Sequence, residues 1–226
     1  MAGDGQMDPD ELEDICLPII QNEADYVKGN RLIHKSAKYV IPKARFIGNS
    51  VLSMLTKIAS GYWHISDTQT GYTAISLKAL EKIDIYDIYK SYGMPNDLLV
   101  KLNIVYCSVK EIPIKPVYKV GEKSKMKITK VIPRVTLLLI KSFFKRIWTK
   151  YFLRDFHPIF LFYMFSFFFG IIDIGFFLYI FNEVIIRKGT VSVGFYISLL
   201  LLSITSIQFL SFAMWMDIQE NDRLYK

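Results

Sequence analysis

Polar and apolar positions follow two rhythms in the first half of this chain. From Pro9, Leu12, Ile15, Ile19 and Ile20 recur on one face with acids in the first turn, which predicts a helix opened by the proline. Residues 24–27 predict a short strand ending in a Gly29-Asn30 turn. Residues 45–60 predict an amphipathic helix, with Phe46, Val51, Leu52, Leu55, Ile58 and Ala59 near helical period and Gly61 as the stop. Strands are expected over residues 72–76 and 108–113, the second closed by Pro113, and helices over 77–83 and 96–102. Helix and strand alternate, so the fold class of this part is α/β.

The pattern changes after residue 129. Through residue 156, Leu137, Leu138, Leu139, Ile140, Phe143, Phe144, Ile147, Trp148, Tyr151 and Phe152 alternate with Lys141, Lys145, Arg146, Lys150 and Arg154. Apolar coverage with interleaved bases and a tryptophan predicts helices lying in a membrane interface, set off from the preceding loop by Pro133. Residues 156–186 and 191–216 are each long and apolar enough to span a bilayer, which takes about 20 such residues. Few residues separate them, so they predict a two-helix hairpin. The expected organisation is a soluble part at 1–118, a basic loop with interface helices at 119–155, two spans at 156–217 and a tail at 218–226.

Charge sharpens this picture. The formal net charge is +7, yet residues 115–155 hold twelve bases and two acids, while the chain on either side is slightly acidic. Bases beside a span favour anionic headgroups and the cytoplasmic side, so the soluble part and both hairpin ends are expected there. This placement argues against a nucleic-acid-binding stripe. Cys16 and Cys107 lie in apolar segments and read as small core residues of a reducing compartment. The three histidines are scattered, with no zinc spacing.

Three segments in order carry more specific information: MAGDGQMDPDEL, then DYVKGNRL with the helix containing PKARFIGN, then SDTQTGYTAIS. Together they resemble family 2 glycosyltransferases of the polyprenyl-phosphate type (dolichyl-phosphate mannosyl- or glucosyltransferase-like). That family carries a DxD-like loop, a strand ending in G-[SN]-R, an arginine heading the next helix, and D-x-x-[TSN]-G-[FY] leading into a strand. The later segments YGMPNDLL and VKEIPIKPVY resemble the following helix and strand. The resemblance implies the C-terminal part of a GT-A (nucleotide-diphospho-sugar transferase) domain over 1–118, followed by interface helices and a membrane hairpin. It implies transfer of a hexose from a GDP- or UDP-sugar to a dolichyl or undecaprenyl phosphate, with inversion.

The residue roles follow from that resemblance. Asp4 matches the second acidic position of the metal loop and Gln6 the glutamine after it, with Mg²⁺ or Mn²⁺ implied; the first acidic position is Ala2. Mg²⁺ needs only one or two carboxylates when phosphates and water complete its shell. Taken alone, Asp4-Gly5 reads as a turn. The acceptor is a phosphate monoester, already charged, which asks for bidentate cations more than for a strong base. Arg31 and Arg45 match the acceptor-phosphate arginines, with Asn49 a polar partner. Asp67, Gln69 and Thr70 match the loop facing the acceptor, where Asp67 orients the donor sugar, acts as a weak base, or is simply a turn residue before Gly71. Ser124 and Lys125 match a Ser-Lys pair that touches a phosphate or is a solvated charge run.

In the family a nucleotide-binding half precedes the metal loop, and Met1 stands where the strand before that loop ends. A start at an internal methionine is therefore expected, with a truncated chain or a decayed or split gene as the alternatives, as is failure of the chain alone to bind a nucleotide sugar. The alternative reading is a non-catalytic membrane anchor or scaffold of a glycosylation pathway. Asp173 is an ionisable residue in the middle of the first span. Such residues usually face protein. It is expected to be protonated, to pair with Thr205, Ser206 or Gln208, or to meet another copy of the chain, so self-association is left open.

Overall fold

The computed structural model describes residues 7–35, 43–117 and 128–226. The chain forms two compact units, Met1–Lys150 with Glu220–Lys226, and Tyr151–Gln219.

In the first unit a 3-10 turn, Pro9–Glu11, leads into α1, Leu12–Ile20. Of the predicted apolar face only Ile15 is buried; Leu12 and Ile20 are exposed, because one helical face of so short a helix meets the sheet. Strand β1, Tyr26–Asn30, is the middle of a three-stranded sheet. It pairs antiparallel with β2, Thr73–Ile75, and parallel with β3, Val109–Pro113. The predicted Gly29-Asn30 turn is corrected here: both residues belong to β1, with Gly29 opposite Ile112 and Asn30 opposite Pro113. Gly29 is required by a close approach, since a Cβ there would lie 2.6 Å from Ile114 Cδ1.

Alternation along β1 sends Tyr26 and Val27 to opposite faces. Val27 joins Ile15, Ala24, Tyr72 and Ile114, whereas Tyr26 joins Tyr62, Ala79, Leu99, Leu102 and Val109.

 Helices α3, Leu77–Lys82, and α4, Met94–Ile104, cover the other face. Behind them α2, Lys43–Ser60, and α5, Ile128–Trp148, pack through Ala59, Val100, Ile104, Val135 and Leu139. Val51, predicted on the apolar face of α2, is exposed.

Two expectations about residues 129–156 are corrected. Pro133 lies inside the helix and does not delimit it. Arg146 and Lys150, predicted among bases at a lipid interface, are fully buried. Arg146 donates from Nε to Ala59 O (2.9 Å) and from Nη2 to Ile58 O (3.1 Å), capping the C-terminus of α2 where its last carbonyls lack helical partners. Gly61, at φ +79°, turns the chain away and leaves room for that guanidinium. Lys150 Nζ bonds Asn103 Oδ1 (2.8 Å) and Asn221 Oδ1 (2.6 Å). The C-terminal residues also belong to this unit: Tyr225 bridges to Val109 on the free side of β3, and Leu224 is buried in the core.

The second unit contains a π-helical turn ending at Arg154, then α6, Pro158–Phe181, extended by a π turn, Asn182–Ile186, and most of α7, Val193–Asp222. Pro158–Ile186 and Val193–Asp222 are long and apolar enough to cross a membrane. Ser166 and Ser206 each donate to the other's carbonyl oxygen at 3.0 Å, Gly170 lies against Ser206, and Ser203 Oγ donates to Asp173 Oδ2 at 2.8 Å. Asp173 thus pairs with Ser203, and not with Thr205, Ser206 or Gln208. Residues 166, 170 and 173 share one helical face, so these contacts form a single polar seam.

Candidate functional site

The C-terminal end of β1 delivers Lys28, Asn30 and Arg31 to one place, and the segment 66–70 meets them there. Arg31 grips Asp67 with both arms of its guanidinium, Nε to Oδ2 at 2.8 Å and Nη2 to Oδ1 at 3.1 Å, and its backbone N–H donates to Oδ2 at 3.2 Å. Gln69 N–H donates to Asp67 Oδ1 at 3.2 Å. Asp67 is fully buried, whereas the Arg31 side chain keeps 16% of its surface exposed and so forms the accessible lip of the pair.

Three further elements fix the segment. Glu111 of β3 accepts the backbone N–H groups of Ser66 and Asp67 at 2.9–3.0 Å and the Asn30 side-chain amide at 2.8 Å. Asn30 Oδ1 accepts from Leu32 and Ile33, turning the chain out of β1. On α2, Ser53 Oγ lies 3.1 Å from Thr68 Oγ1. On α4, Asn96 Oδ1 accepts from Gln69 Nε2 at 2.8 Å, and the buried Asn96 Nδ2 has no hydrogen-bond partner.

Lys28 lies fully buried, with Nζ donating to Thr70 O at 2.6 Å. Burial pulls its ammonium down to about 8, against the opposing pull of Asp67. Burial also works against charge on Asp67, but the Arg31 hydrogen bonds and the Arg31 and Lys28 charges hold its carboxyl below the ordinary value. Burial raises the Glu111 carboxyl, although the Ser66 and Asp67 N–H groups oppose it. The site therefore presents a partly exposed arginine braced by a buried ionised carboxylate, an arrangement suited to holding an anion through charge-assisted hydrogen bonds.

Of the residues singled out in the sequence, Arg31, Asp67, Gln69 and Thr70 come together. Asn49 is half-buried on α2, one turn before Ser53 and so on the helical face that meets Thr68. Arg45 lies in the first turn of α2. Asp4, Gln6, Ser124 and Lys125 lie outside the described residues. Among the described residues there is no group of three or more His, Cys, Asp or Glu that would hold a metal. Sequence reasoning missed Lys28, Asn96 and Glu111. Lys28 left one signal, a lone charge inside a short apolar strand.

No family model matches the chain. Over 115 residues, 51% of the chain, it is 30% identical to the UDP-N-acetylglucosamine–dolichyl-phosphate N-acetylglucosaminyltransferase of Methanococcus voltae, 45% of which is covered. Over half its length, then, the chain is related to a dolichyl-phosphate glycosyltransferase. It is 31% identical over 116 residues to an uncharacterised protein of Methanocaldococcus jannaschii, 47% of which is covered. The chain spans a little under half the length of these curated relatives.

Proposed function

We propose that this chain is part of a membrane-attached glycosyltransferase that moves a sugar from a nucleotide diphosphate onto a polyprenyl phosphate. The observation that carries this reading is the similarity to the dolichyl-phosphate enzyme of Methanococcus voltae. Its sugar, N-acetylglucosamine, makes UDP-N-acetylglucosamine a donor to test beside the GDP- and UDP-hexoses that the sequence motifs suggest. The Arg31–Asp67 pair supports an acceptor-phosphate site, in which Arg31, Arg45 and Asn49 hold the lipid phosphate. In this reading the phosphate oxygen attacks the anomeric carbon, the bond to the nucleotide diphosphate breaks, and configuration inverts. Asp67 holds Arg31 in place, while Gln69, Thr70, Ser124 and Lys125 offer further contacts to phosphate. Asp4 and Gln6 offer one carboxylate and one amide oxygen, a donor set that suits Mg²⁺ or Mn²⁺ alongside substrate phosphates. The ion would neutralise the leaving pyrophosphate.

Membrane attachment rests on the two apolar helices. Only 22% and 6% of their most apolar windows are buried, whereas a core helix of a soluble protein is buried around most of its circumference. The exposed face of α5 carries Leu137, Ile140, Phe144 and Trp148 with Lys141 and Lys145, and we place it at the bilayer surface.

The reaction is tested by reconstituting the chain, alone and joined to the part of the Methanococcus voltae relative that it does not match, with undecaprenyl phosphate. Labelled UDP-N-acetylglucosamine, UDP-glucose or GDP-mannose is supplied with Mg²⁺. Label should enter the organic phase only when the lipid carries its phosphate. Transfer that proceeds equally with undecaprenol would contradict the proposal.

A further inference from the structure

Between α3 and α4, residues 84–93 present three large side chains to solvent: Ile85, Tyr86 and Tyr92, with Tyr86 90% exposed. Scattered exposed apolar residues are ordinary. These three share one short segment, and that segment is held in place. Tyr86 N–H donates to Asp84 Oδ1 and Tyr89 N–H to Asp97 Oδ2, both at 2.9 Å. Lys101 Nζ reaches the Asp87 carbonyl oxygen and lies 3.1 Å from its carboxylate. Lys145 Nζ of α5 donates to Asp87 Oδ2 at 3.0 Å. Asp87, next to Tyr86 in sequence, therefore ties the loop to the same exposed stripe of α5 that carries Phe144 and Trp148.

We propose that residues 84–93 form a second lipid-contacting element, with Ile85, Tyr86 and Tyr92 seated in the headgroup region of an anionic bilayer beside the α5 stripe. This rests on the reading of α5 as a surface helix. Tyrosine suits that depth, because its ring is apolar and its hydroxyl remains hydrated. Attraction to an anionic surface comes from the bases of α5, since Asp84 and Asp87 outweigh Lys90 within the loop. Lys90 and Lys141 are exposed, and the Asp87 carboxylate is shared between Lys101 and Lys145. The loop thus adds three exposed apolar or aromatic side chains beside the apolar and basic stripe of α5.

The test places one bimane-labelled cysteine in the full chain, in a Cys16→Ser background, at Tyr86→Cys, Tyr92→Cys, Trp148→Cys or Glu13→Cys. The protein is reconstituted in phosphatidylcholine–phosphatidylglycerol vesicles, and quenching by aqueous iodide is compared with quenching by headgroup-level nitroxide lipids. Glu13, exposed on α1, is the aqueous reference. Labels at 86 and 92 should be quenched by nitroxide lipid and be several-fold less sensitive to iodide than the label at 13. The proposal is overturned if 86 and 92 match 13, or if they are shielded from both quenchers, as a protein partner would produce. The label at 148 separates the two readings: lipid quenching there with none at 86 and 92 rejects the loop alone, whereas its absence at 148 rejects α5.

Discussion

Lys28 sits in the middle strand of the sheet with its charge out of water, and its neighbours explain why that is tolerated. Its ammonium donates to Thr70 O and lies in the field of Asp67 and Glu111, while Arg31 opposes it. Its folded value, about 8, lies below its ordinary 10.5, so the unfolded chain holds this proton more tightly. The cost of burying the charge is therefore fully present below pH 8, and the Lys28 contribution makes stability rise between about 8 and 10.5. Cys107, raised by burial to about 11 from 9.0, acts in the opposite sense above pH 9. We expect the unfolding midpoint of the wild type, minus that of Lys28→Met, to increase from pH 8 to 9.5. Parallel pH profiles would show that Lys28 does not titrate in this range. At this scale the sequence offered Arg31 and Asp67 as separate candidates. Their pairing spans 36 positions, and neither local pattern nor spacing reveals such a contact. Glu111 escaped notice for the same reason, since its partners are backbone groups at 66 and 67.

Among the elements, hydrophobic period located most helices and strands of the first unit, because one face of each meets a core. It misplaced the end of β1, where pairing with β3 and the approach of Ile114 override the turn preference of Gly29-Asn30. It also misread α5, treating all its bases as one class. Lys141 and Lys145 lie on the exposed stripe, but Arg146 is an internal cap for α2. Arg146→Met should leave the last carbonyls of α2 without that cap. It is expected to lower the stability of the first unit by about 2–3 kcal/mol, the combined order of a buried helix-terminus charge and its hydrogen bonds. Denaturant titration of the detergent-solubilised protein measures this. A change within about 0.5 kcal/mol, typical of an ordinary surface substitution, would show that the cap contributes little.

At the scale of the molecule, the chain entering the apolar hairpin and the chain leaving it belong to one compact unit, since residues 220–226 join the sheet and core of Met1–Lys150. Two crossings satisfy that arrangement and a single crossing does not. Reporter fusions at Pro116 and after Lys226 are therefore expected on the same side of the membrane, the cytoplasmic one by the excess of bases at 115–155. Opposite sides would break the hairpin account. The hairpin itself was legible in composition, whereas the return of the tail was not, because a few residues carry no period. Recognition of a lipid phosphate is read out by equilibrium binding of farnesyl phosphate against farnesol to the chain in nanodiscs. Saturable binding of the phosphate alone is predicted, weakened roughly ten- to a hundredfold in Arg31→Ala and Arg45→Ala, the order expected for lost charge-assisted hydrogen bonds. Equal binding of phosphate and alcohol, or unchanged binding after both substitutions, would contradict it.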